Sequence, residues 1–298
     1  MSALRTWPRD VALVAALALA ELRHRRSLTV VTVLTVGFLG LYGWGVFEVI
    51  DSVNARARDA ASGGGGLPVD ETARGVGFIL LGIAVFATFS LASVLAVFTT
   101  MSTVKGEAEL GLLQSMLVRP IARSALVTGR VVAATLACFA YCAVVISIAS
   151  LLTKSAGGTP PGNLVAVVLG LTAALAIVAA FGVLLSTVFG TAATGMAATM
   201  LVSIGFFASL VRQIGEATDS PSVESKADVV THVLGFNALY EGALGALTSG
   251  VGGLAGFALQ MGPFGSQGTL DSGLWLLAAV ELVALIGLAT WRLRRIDL

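Results

Sequence analysis

Apolar residues gather in long blocks along this chain, and most charged residues lie between the blocks. A membrane-crossing helix needs about 20 apolar residues, because hydrocarbon about 30 Å thick is traversed at about 1.5 Å per residue. On that measure the pattern predicts six spans, at 27–50, 75–100, 125–152, 163–185, 191–211 and 272–291. The fourth and fifth come from one uncharged run, 163–211. As a single helix that run would be about 70 Å long, more than twice the hydrocarbon thickness. It must turn back, and the stretch STVFGTAAT at 186–194 is where a turn is expected.

The segments between the blocks differ in kind. Residues 51–74 contain Gly63 to Gly66 and read as flexible linker. Residues 212–271 begin polar and turn semi-apolar over 229–265, where His232, Asn237, Glu241 and many glycines interrupt the pattern. Short interfacial helices are expected there in preference to another span. The first 26 residues offer two readings. Pro8 suits a first helical turn, and the apolar stretch Val11 to Ala20 is too short to span. With Ala18-Leu19-Ala20 as a cleavage site it would be a secretory signal. The cluster Arg23, His24, Arg25, Arg26 opposes translocation, however, and favours a helix lying in the inner interface and kept on the mature chain.

Composition narrows the class. The chain has 298 residues, 56% hydrophobic and only 12% charged. A soluble enzyme needs more polar surface than this, and a disordered chain would carry far less apolar material. The net charge of +1 supplies no general basic field for nucleic acid. The distribution of charge sets an orientation. With the N-terminus in the cytoplasm, the inner side holds Arg5, Arg9, Arg23, Arg25, Arg26, Lys105, Arg119, Arg123, Arg130, Arg292, Arg294 and Arg295. The outer side holds only Arg56, Arg58, Arg74, Lys154, Arg212 and Lys226. Both termini are therefore expected inside.

Site chemistry is sparse. No GxxxxGK[ST] phosphate loop, HExxH or CxxC is present, and the two histidines, His24 and His232, fall on opposite sides of the membrane. Cys138 and Cys142 share one helical face and read as small packing residues. Glu281 is the tenth residue of the last span, near mid-bilayer, where an ionisable group is a functional hypothesis by default. Its alternatives are a hydrogen-bonded side chain facing another helix, or the ion- or proton-binding group of a secondary carrier or channel. Arg130 lies one turn inside the third span, and its stem is long enough to snorkel to the inner interface.

The inner loop, 101–124, carries the most information. Glu107 and Glu109 favour a helix start, and Leu110, Leu113 and Leu117 form an apolar stripe that Pro120 ends. Arg119 and Arg123 flank the stop. Such an amphipathic helix either docks a soluble partner or lies on its own bilayer, and the residues alone do not choose.

This loop resembles the hallmark of ABC-2-type transporter permeases, E-x-x-x-G-T-L-x-L-L-L-S-x-P-[IV]-S-R followed by a G-[KR] pair. Glu107, Gly111, Leu113, Leu117, Pro120, Ile121, Arg123, Gly129 and Arg130 fall on it. The departures are Leu112, Ser115, Met116, Val118 and Ala122. GFNALYEGALGAL, from Gly235, is similar to the family's F-N-P segment before the last span, with Ala238 where proline is common, and WRLRRIDL resembles its basic tail.

The resemblance implies an all-α polytopic membrane protein, one permease domain over 1–298. It would have six transmembrane helices, an N-terminal interfacial elbow helix at 1–26, both termini cytoplasmic and an extracytoplasmic segment at 212–271. It implies a plasma-membrane exporter subunit, working with two copies of an ABC ATPase and a second permease, identical or different. ATP and Mg would bind the ATPase, with no cofactor on this chain. Glu107, Glu109, Leu110, Gly111, Leu113, Leu117, Pro120 and Arg123 would couple the two.

Overall fold

The computed structural model describes residues 3–24, 26–62, 69–101, 122–158, 163–218, 225–226, 231, 234–248 and 268–295. All regular structure among them is helical. In chain order the long helices are α1 (Ala3–His24), α2 (Arg26–Ser62), α3 (Val69–Thr100), α4 (Arg123–Ser155), α5 (Leu164–Ser186), α6 (Thr191–Ala217), α7 (Gly235–Thr248) and α8 (Ser272–Arg295). Six of them are long and apolar enough to cross a membrane, at Ser27–Arg56, Gly75–Thr100, Arg123–Ser155, Leu164–Ser186, Thr191–Arg212 and Ser272–Arg295. These are the six spans of the hydropathy pattern.

α5 is the central post. It is apolar all round and largely buried, and it touches α3, α4, α6, α7 and α8. Leu171, Leu175, Ile177, Val178 and Val183 are buried, and small residues let neighbours approach: Gly170 meets Ala243, and Gly182 meets Thr100. Most buried hydroxyls of the described residues are satisfied locally or across helices, since hydrocarbon offers them nothing, and the Tyr240 hydroxyl is an exception. Thr88 donates to the Ala84 carbonyl at 2.6 Å, and Tyr42 meets Thr153 at 2.7 Å.

The ends follow from local chemistry. Asn163 caps α5 by accepting from the Ala166 amide at 3.2 Å, and Asp271 caps α8 by accepting from Leu274 at 3.0 Å. α4 closes in a Schellman turn: Gly157, at φ 97°, donates to Lys154 O, and Gly158 donates to Thr153 O. The left-handed φ favours glycine there. The expected reversal between α5 and α6 occupies 187–190, where Thr187 Oγ1 donates back to Leu184 O at 2.7 Å.

One expectation is corrected. α7 is not an interfacial helix. Phe236, Leu239, Tyr240, Ala243, Leu244 and Leu247 are buried against α5 and its neighbours. Its first residue, Gly235, lies beside Glu281, nine residues along α8 from Ser272 and so about 14 Å from that helix's start at about 1.5 Å per residue. α7 therefore begins deep among the spans. The polar residues that looked like interruptions are the reason: Asn237 and Glu241 turn toward polar partners on α6.

Candidate functional site: the helix base, the buried α7 and the groove between α3 and α6

At the end of the bundle where α4 begins, three helices are tied together. Arg123, the first residue of α4, donates from Nη1 to the Leu293 carbonyl in the last turn of α8 at 2.7 Å. A cation at a helix C-terminus is favoured by the carbonyl dipoles that end there. Trp7 Nε1 of α1 donates to Ser124 Oγ of α4 at 3.2 Å. About two turns further in, Arg130 is buried and its Nη1 lies 3.2 Å from Glu21 Oε2 of α1. The Arg130 side chain, which the sequence allows to snorkel to the inner interface, pairs with Glu21 of α1.

Gly129 explains why α1 can lie so close. A Cβ at that position would stand 2.7 Å from Val14 Cβ and 3.0 Å from the Val11 carbonyl. The glycine is therefore the notch that seats α1, and the arginine after it is the ionic clasp. Gly129→Ala is expected to destabilise this packing by about 1–3 kcal/mol, the usual cost of overpacking. Trypsin cleavage at Arg23 should speed up several-fold, with the helical content unchanged. Adding Val14→Gly should restore part of the protection, and an unchanged cleavage rate would contradict the seat.

At the opposite end of the bundle, Glu241 is nearly enclosed and takes three neighbours. Ser209 Oγ donates to Oε1 in a short hydrogen bond, Arg212 Nη2 donates to Oε2 at 2.6 Å, and Asn237 Nδ2 lies 3.5 Å from Oε1. Asn237 also reaches Ser209 Oγ at 3.3 Å. Phe236 fills the space over Gly205, whose missing Cβ would meet the ring at 2.7 Å. Tyr240 joins Phe89, Phe206 and Phe86 in a run of aromatic contacts with Phe206 at its centre, at centroid distances of 5.2, 5.6 and 5.5 Å. At the deep end of α7, the Gly235 amide donates to the Glu281 carboxylate.

Between α3 and α6 runs a groove. Its larger part, of about 670 Å3, is lined by Val94, Val97, Phe98 and Met101 on one wall and by Gly195, Met196, Thr199, Met200 and Ser203 on the other. A second part, of about 220 Å3, shares Val94, Val97, Thr199 and Ser203 and continues to Ser90, Ser93, Phe86 and Phe206. The groove thus starts at the end of the bundle bearing Met101 and stops at the aromatic run under α7. Met196 and Met200 on its open side are each about two-thirds exposed.

A family model for the ABC-2 family transporter protein matches residues 27–289. The chain belongs to the ABC-2 transporter family. A search of curated proteins finds no match. The molecule is thus a multi-pass membrane permease of the ABC type, and membership favours that reading over the ion-coupled carrier.

Within this ABC-2 permease the loop residues Glu107, Glu109, Leu110, Gly111, Leu113, Leu117 and Pro120 lie outside the described residues. Arg123 and Arg130 stand on α4, tied to α8 and to α1 respectively, and Glu281 stands apart from both. Cys138 and Cys142 are buried, and Cys138 Sγ faces the Ala92 carbonyl at 3.7 Å. Among the described residues no three His, Cys, Asp or Glu side chains gather to hold a metal. Sequence reasoning missed Glu21, Ser209 and the groove. A signal for the last was present: Gly195, Thr199 and Ser203 recur every four residues along α6 and so share one face.

For Glu281 in the permease, an amide can copy what the carboxylate does. Glu281→Gln is expected to keep assembly and transport near wild type, because its amide oxygen still accepts from Gly235. Glu281→Ala should lower the yield of folded protein, since the deep end of α7 loses its acceptor at a cost of about 1–3 kcal/mol. A well-assembled Gln variant devoid of transport would mark Glu281 as a titrating group.

Proposed function

We propose that this chain is the transmembrane subunit of an ATP-driven exporter of the plasma membrane. Two copies of a separate ABC ATPase bind and hydrolyse ATP with Mg, and a second permease, identical or different, completes the pathway. Both termini and residues 101–124 face the cytoplasm. The helix over 107–117 seats in the ATPase, and cargo moves between the two permeases along the groove between α3 and α6.

The observation that carries this reading is the ABC-2 match over 27–289, in a chain with no phosphate loop of its own. The base geometry supports it. A push on residues just before α4 would meet Arg123, already hooked to α8, and then Gly129 and Arg130, already clasped to α1. Force on the loop would therefore move three helices as a unit. Coupling further requires that the ATPase bind the permease's alternative states with different affinity, since contact alone shifts no equilibrium.

The test is affinity capture of the tagged full-length chain from its native membranes. An ABC ATPase should co-purify in about equal amount, and its hydrolysis should depend on the permease. Capture of the intact permease with no ATPase under conditions that preserve membrane complexes would sink the proposal.

A further inference from the structure

Resting on the proposed cargo groove, the chemistry of its walls defines what it takes. Among the described residues four hydroxyls line it, and every one is already committed as a donor. Ser90 donates to Phe86 O at 2.9 Å, Ser93 to Phe89 O at 2.8 Å, Thr199 to Gly195 O at 2.9 Å and Ser203 to Thr199 O at 3.0 Å. The backbone amides of these stretches lie within helices. The groove therefore presents hydroxyl oxygens as acceptors and few donors. Among the described residues no charged side chain lines either part of it.

We infer that the groove binds a neutral, mainly apolar molecule whose polar end donates a hydrogen bond. An anion entering the groove would shed water and meet neither a cation nor a free donor, which is the expensive way to bury charge. A cation would meet no carboxylate among the described lining residues. A hydroxyl or amide N–H meets an acceptor oxygen, and the hydrocarbon body lies against valines and methionines. Methionine's unbranched, polarizable chain adapts to bodies of varied outline, so the shape requirement is loose while the charge requirement is strict. A volume of about 670 Å3 accommodates a fused-ring or chain-bearing organic molecule.

The test uses the full permease in nanodiscs with three probes of one body: 1-pyrenebutanol, its methyl ether and 1-pyrenebutyrate. Binding is measured by equilibrium dialysis against empty nanodiscs, for wild type and for Ser203→Trp and Met200→Trp. Both positions face outward, so the added ring fills the groove without entering the core. The alcohol should bind saturably, the ether about fivefold more weakly and the acid at least about tenfold more weakly. Either tryptophan should weaken the alcohol by about tenfold or more.

Equal or tighter binding of the acid overturns the inference. So does alcohol binding that neither tryptophan disturbs, or saturable binding by none of the three. The alcohol preference together with a failure to capture an ATPase would overturn the transporter reading and leave the groove chemistry standing. The reverse pattern would overturn the cargo class alone.

Discussion

Glu241→Ala is expected to destabilise the permease by about 3–5 kcal/mol, the range seen when one partner of a buried ion pair is removed. The carboxylate is the shared acceptor of Ser209 and Arg212 and the near neighbour of Asn237, and its side chain is only 6% exposed. Truncation removes acceptors from two helices at once, in a place where water cannot fully replace them. α7 would then keep Gly235, Phe236 and the Asn237–Ser209 bond at its deep end, and the aromatic run around Phe206 would lose its backing. Glu241→Gln keeps the acceptor for Ser209 and should cost less, about 1–2 kcal/mol. Ser209→Ala removes one donor and should cost about 1 kcal/mol. The measurement is the midpoint of unfolding in mixed detergent, read by circular dichroism. A Glu241→Ala midpoint equal to wild type would show that α7 is held by apolar packing alone.

The spans were legible because hydrocarbon thickness imposes a length on an apolar run, and nothing else in the chain imitates that length. The α5–α6 reversal was legible for the same reason, since an uncharged run too long for one crossing has to turn. Their true ends were less so. α2 continues to Ser62, well past its apolar stretch, because a helix need not stop where the hydropathy does.

α7 was misread because Asn237 and Glu241 are polar, and polarity in a semi-apolar segment suggests an interface. Their partners, Ser209 and Arg212, are 28 and 29 residues away from the residues they meet, and pairings at that distance leave no mark in a local pattern. Arg130 repeats the lesson. Its position one turn inside the bilayer was plain, but the carboxylate that holds it is on α1, 109 residues earlier. Gly129 and Arg130 could be matched to a family motif without any account of why a glycine should precede a cation there. The close crossing of α1, with Val14 over Gly129, supplies the account. The groove, in turn, depends on how far α3 and α6 stand apart, and spacing between helices is a property of packing that composition does not encode.

The central claim is that the loop before α4 transmits work from a partner ATPase. In the sequence of that loop Leu110, Leu113 and Leu117 recur at helical spacing, Glu107 and Glu109 precede them, and Pro120 stands three residues before α4, the pattern expected of an amphipathic docking helix. A leucine buried at such a contact contributes about 1–3 kcal/mol, and an aspartate in its place adds the cost of burying a charge. Leu113→Asp is therefore expected to reduce ATPase association by at least about tenfold while leaving the spans folded. Glu107→Lys, added to it, should weaken the association further and make what remains less sensitive to salt. The decisive measurement is permease-dependent ATP hydrolysis in nanodiscs holding the captured complex, wild type against Leu113→Asp. The account predicts loss of that stimulation from a variant of unchanged helical content. Full stimulation and full ATPase association by Leu113→Asp would contradict it.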